Sequence, residues 1–237
     1  SGRLTGADEI EADYKKYPYT YHDELYKKRV YNGYGRPHPE EELVLGPNIA
    51  DWPKLHRMPD NLLIRLCSVI RDKVTTTDEL IPSGETSTLR SNPYKLSEYA
   101  LSRKDPAYVG RSKAARAQQE LLDGGKKLDA QYIKAAEELG AVIDSNLGIG
   151  SAIYANMPGD GSAREQAASC QRVLGACANI AMEYATKRYR SNCINWGMAP
   201  LLTATPEDYA LGDWVFVPGI REAILSGRQA FDAYVVK

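Results

Sequence analysis

From about residue 60 onward, short apolar runs alternate with helix-prone segments, and few architectures bury both kinds of element at once. Leu62-Leu63-Ile64-Arg65-Leu66-Cys67 has strand character, as do residues 151–156, the small-residue run 176–182 and Trp214-Val215-Phe216-Val217. Residues 114–122 and 129–139 are helix-prone and are parted by Gly124-Gly125. Further helices are expected at 163–174 and 183–194, with a polar, turn-rich stretch at 75–92 and a turn at Met157-Pro158-Gly159-Asp160-Gly161. The pattern predicts an α/β fold, a mixed or parallel sheet flanked by helices.

Residues 1–60 differ: they are rich in tyrosine (14, 17, 19, 21, 26, 31 and 34), proline and charge, with a turn and extended signal at Gly33-Tyr34-Gly35-Arg36-Pro37-His38-Pro39. The expected organisation is a Tyr-rich linker or arm over residues 1–42 and one folded domain over 43–237, a length that buries a real core. The first residues, Ser1-Gly2-Arg3, read as a cut inside a longer chain or a cloning scar.

A net charge of −1 argues against a nucleic-acid or membrane-surface role driven by bulk electrostatics. No apolar run approaches the roughly 20 residues that span a bilayer. Cys67, Cys170, Cys177 and Cys193 form no CxxC pair, and His22, His38 and His56 share no ligand spacing with them. Reduced, buried thiols in a cytoplasmic protein are expected, and no metal site.

Chemistry concentrates at Gly159-Asp160-Gly161-Ser162-Ala163-Arg164-Glu165, between an expected strand and an expected helix. Taken bare, Ser162-Ala163-Arg164-Glu165 is a capping box, in which Ser162 accepts the Glu165 amide and Glu165 reaches back. The same geometry also builds an anion site: glycines let the backbone approach a ligand, and a helix N-terminus adds positive potential. Arg164 opposes the helix dipole in the first turn, which makes sense if its guanidinium grips a carboxylate.

Residues 159–168, Gly-Asp-Gly-Ser-Ala-Arg-Glu-Gln-Ala-Ala, resemble the G-[ED]-G-S-S-R-E-H-A-A segment of the aconitase family's swivel domain. Two further segments carry the resemblance in the same order. Thr77-Asp78-Glu79-Leu80-Ile81-Pro82-Ser83-Gly84 is similar to T-D-H-I-S-x-A-G, and residues 190–201 are similar to the run x-x-N-x-x-x-x-G-x-x-P-L, where Gly197 ends a helix. Taken without the resemblance, Thr75-Thr76-Thr77-Asp78 is a turn or N-cap signal with no chemistry. The resemblance covers about residues 43–222 and is weakest at 91–141. It extends more distantly to the small subunit of isopropylmalate isomerases.

The resemblance implies the swivelling β/β/α domain of the aconitase type, part of a hydratase (a carbon–oxygen lyase) acting on a hydroxy-polycarboxylate such as a tricarboxylate. By position, Ser162 is the catalytic base, Asp78 an acidic residue of the active site, and Arg90 and Arg164 the carboxylate grips. Ala163 stands where the family has a second serine and retains a backbone N–H for substrate. Gln166, Glu79 and Ile81 also depart from the pattern. The family's [4Fe–4S] cluster is expected in the rest of the enzyme, bound by Cys…Cys-x-x-Cys ligands of partner domains in the same chain or a large subunit, and none in this chain. The isolated chain is then inactive. A non-catalytic or regulatory binding protein on the same fold is the alternative.

Overall fold

In a computed structural model of the chain, which describes residues 2, 4, 6, 9, 20–28 and 33–237, the apolar run at 62–67 lies inside a ten-residue strand, β1 (Asn61–Ile70). The chain divides into two units, Ser1–Val44 and Leu45–Lys237. In the first, Asp23–Lys27 forms a one-turn helix, α1, braced by an ion pair between its end residues. Tyr21, Tyr26 and Tyr34 there are exposed. Tyr14, Tyr17, Tyr19 and Tyr31 lie outside the described residues.

In the second unit, β1 is followed by β2 (Thr75–Thr76), α2 (Thr77–Leu80), α3 (Pro93–Ser97), α4 (Tyr108–Asp123) and α5 (Ala130–Leu139). Then come β3 (Leu147–Ala155), β4 (Pro158–Asp160), α6 (Arg164–Leu174), β5 (Ala176–Ala181), α7 (Lys187–Asn195), β6 (Ala199–Leu202), β7 (Trp214–Val217), α8 (Ile220–Leu225) and β8 (Tyr234–Val236). The main sheet has the order β6-β5-β3-β1-β7-β8. Its β6-β5-β3-β1 half is parallel, while β7 pairs antiparallel with both β1 and β8. The sheet is therefore mixed and flanked by helices, the α/β class that the sequence pattern predicts.

β3 and β5 are buried at every position, which is why they read as unbroken apolar or small-residue runs. Leu62, Ile64 and Leu66 of β1 face one core with Tyr154, Ile180 and Val215. Leu63 faces the opposite side, against Tyr132 of α5 and Trp214. A register shift near Cys67 then turns the end of β1 towards a third core, where Cys67 and Ile70 pack with Leu101, Tyr108 and the Ala167-Ala168 face of α6.

Two expectations are corrected. The segment 157–161 is more than a turn, because Pro158–Asp160 pairs in parallel with Thr75–Thr76 as a separate two-stranded sheet. The helix expected from residue 183 starts at Lys187, where Thr186 caps it by accepting the Tyr189 amide. Its end matches expectation: Gly197 takes a φ of +72°, its N–H bonds to the Ile194 carbonyl at 2.9 Å, and Met198 N–H bonds to Cys193 at 2.8 Å.

Candidate functional site

The two-stranded sheet sets two strand-to-helix corners side by side. In its register Thr76 lies opposite Asp160, so Asp78 and Ser162 each sit two residues past a paired position. Gly161, at φ +133°, presses on the second corner's neighbour: a Cβ there would overlap the Thr77 hydroxyl. Gly159, at φ +97°, packs against the Tyr189 side chain of α7, where an added Cβ would overlap it, and its carbonyl accepts from Thr186 Oγ1 at 2.9 Å. The 159–161 loop is thus held between α2 and α7 by contacts that exclude side chains.

The capping box expected at Ser162 does not form. The residue at the N-cap of α6 is Ala163, with its methyl buried in the core and no side chain capping the first turn. Glu165 turns instead to accept a hydrogen bond from Trp196 Nε1 at 3.1 Å. Ser162 is left exposed on the loop. It lines an open depression of roughly 300 Å³ with Arg164, Glu165, Lys187, Arg188, Ser191 and Asn192.

Three cations thus face one carboxylate, and that carboxylate is already engaged. Among the described residues no acid pairs with Arg164, Lys187 or Arg188, and Arg164 Nε is buried without a hydrogen-bond partner. An anion with several oxygens could take hydrogen bonds from the solvent-facing donors of these three cations. Lys187 and Arg188 are the functional candidates that the sequence reading does not single out. The signal for them is Thr186-Lys187-Arg188, an N-cap followed by two cations in a first turn.

The other expected residues are placed as follows. Asp78 is exposed on α2 and forms an ion pair with Arg103, which also holds Glu85. Arg90 is exposed just past a short 3-10 turn, with its Nη2 donating to the Ser83 carbonyl at 3.3 Å. Neither is among the residues lining the Ser162 depression.

A second cavity, of roughly 280 Å³, lies at the other end of α6 between residues 53–60 and the sheet. There Arg172 donates through Nη1 and Nη2 to the carbonyls of Ala176 and His56 while its Nε, like that of Arg164, is buried without a partner; Arg116 donates to the Val173 carbonyl, and Arg221 pairs with Asp60. The four thiols are buried. Desolvation pushes those of Cys67, Cys177 and Cys193 up to about 12, and that of Cys170 also upward. Among the described residues no three His, Cys, Asp or Glu side chains converge, and no helix is long and apolar enough to cross a membrane.

No protein-family model matches this chain, and no curated protein matches its sequence. Among solved structures it is similar to 3-isopropylmalate dehydratase from Methanocaldococcus jannaschii, at 22% identity over 74% of this chain and 83% of that one, with a TM-score of 0.42.

Proposed function

We propose that this chain is the swivel domain of an aconitase-like hydro-lyase and that the Ser162 depression binds a carboxylate of its substrate. The observation that carries this reading is the exposed Ser162 hydroxyl set among Arg164, Lys187 and Arg188, three cations that outnumber the one carboxylate there, Glu165, and form no ion pair among the described residues. The three segments resembling the aconitase pattern support it, since two of them meet at the paired corners.

In this reading Arg164 holds a substrate carboxylate, and Ser162 takes the proton from the carbon beside it. A serine is a weak base, and it works only where cations and backbone N–H groups stabilise the oxyanion. The cations around the depression and the uncapped first turn of α6 supply both. The resemblance also assigns a grip to Arg90 and an acidic role to Asp78, but neither lines the depression and Asp78 is paired with Arg103. Among the described residues no three Cys, His, Asp or Glu side chains converge, so this reading assigns the [4Fe–4S] cluster to a partner domain or subunit. Held there, such a cluster would supply Lewis-acid chemistry for loss of the hydroxyl group.

The test is Ser162→Ala in this chain assembled with its cluster-bearing partner. Dehydration activity should fall by roughly 10²–10⁴-fold while carboxylate binding persists. Unchanged activity would remove the serine from the chemistry. The pairing of Asp78 with Arg103 favours a second reading, a non-catalytic carboxylate-binding domain on the same fold, and that outcome would establish it.

A further inference from the structure

We infer that Lys187 and Arg188 are specificity-determining residues that hold a second anionic group of the ligand, apart from the carboxylate held by Arg164. This rests on the reading of the Ser162 depression as a carboxylate site.

The depression is built by two helices. Arg164 opens α6, and Lys187 and Arg188 open α7. A cation in a helix's first turn opposes the dipole, at a cost of roughly 0.3–1 kcal/mol in a surface setting. Only α6 offsets this with a carboxylate in its first turn, Glu165. α7 has no acid there, and Glu165 makes its hydrogen bond to Trp196 rather than an ion pair with Arg164, Lys187 or Arg188. Elsewhere on the domain, basic side chains that lie near acids are paired with them: Arg103, Lys104, Arg111, Lys113 and Arg116 all are. Arg57, Lys73, Lys95 and Lys127 also pair with no acid among the described residues, and what sets the cluster at Ser162 apart is that three such cations line one depression.

Arg164 by itself satisfies one carboxylate bidentately. Two further cations on a different helix exceed what that group needs, so they select for charge on another arm of the ligand. Ser191 and Asn192, one turn further along α7, supply neutral hydrogen bonds to the same arm. The ligand class is a small molecule bearing two or more anionic groups on adjacent carbons, and an apolar branch in place of the second group is disfavoured.

The experiment titrates this chain by heteronuclear NMR with tricarballylate and with 3-methylglutarate, in which a methyl group replaces the central carboxylate. Tricarballylate should bind at least ~10-fold more tightly at low salt, equivalent to about 1.4 kcal/mol. Lys187→Met combined with Arg188→Met should bring the two affinities together, whereas Arg164→Met should weaken both. Equal affinities in the native chain, with the double variant unchanged, would overturn the specificity role and leave the carboxylate site standing. Failure of both ligands to bind, or binding indifferent to Arg164→Met, would instead overturn the underlying site and this inference with it. All three side chains lie at the surface depression, and a circular dichroism melt confirms that each variant folds.

Discussion

The same local plan, a short strand turning into a helix, is built twice at adjacent corners, and the two are finished in opposite ways. At the α2 corner, Thr76 accepts the Glu79 amide at 3.2 Å and Glu79 accepts the Thr76 amide at 2.8 Å, a complete capping box. Lys104 then pairs with Glu79, and Arg103 with Asp78. At the α6 corner the sequence offers the same S/T-x-x-E spacing, but the chain passes it over. The N-cap moves one residue on to Ala163, Glu165 leaves for Trp196, and the hydroxyl and cations face solvent. Stability alone favours the first arrangement; the second forgoes a cap worth roughly 0.5–2 kcal/mol. The contrast teaches that an unmade local bond beside a made one is a stronger functional signal than either motif alone.

The largest expected effect comes from the residue that locks the corners together. Gly161→Val forces a branched side chain into a φ of +133° and into the Thr77 hydroxyl, so it should destabilise by about 3 kcal/mol. Chemical denaturation reads this directly, and a change under 1 kcal/mol would mean that the corners are not held as described. Next in size is a paired substitution. Thr76→Ala should lower stability by about 1 kcal/mol by removing a working cap, while Ser162→Ala should stay within about 0.5 kcal/mol. Equal losses would show that Ser162 caps its helix after all, and would erase the contrast.

Much of the fold is legible in the sequence because its central strands are buried on both faces. β1, β3, β5 and β7 are continuous apolar or small-residue runs, and Gly124-Gly125 and Gly197 stop their helices on conformational grounds. The short elements β2, β4, β6 and β8 are not legible by pattern. Thr75 pairs with Pro158, far along the chain, and nothing local announces it. Ser162 and Arg164 are found through their Gly-rich corner, which sequence places correctly between a strand and a helix. Lys187 and Arg188 are missed for a physical reason: a helix beginning at residue 183 would bury them mid-element, and only the Thr186 cap moves them to the first turn.

The smallest effect isolates the charge within the satisfied corner. Burial raises the Glu79 carboxyl's pKa, but hydrogen bonds from Thr76 and Lys104 outweigh it and hold the group below its ordinary value of 4.5. A carboxylate whose pKa is depressed on folding contributes stability that is fully present above its unfolded pKa and is lost as pH falls through the folded value. Unfolding midpoints in urea should therefore decline below about pH 4.5. Glu79→Gln keeps an oxygen to accept the Thr76 amide but removes the titrating charge. The part of the decline due to this group, about 0.5 kcal/mol after allowance for its partial exposure, should vanish in that variant. If Glu79→Gln left the acid limb unchanged, the role assigned to this carboxylate in the satisfied corner would fall.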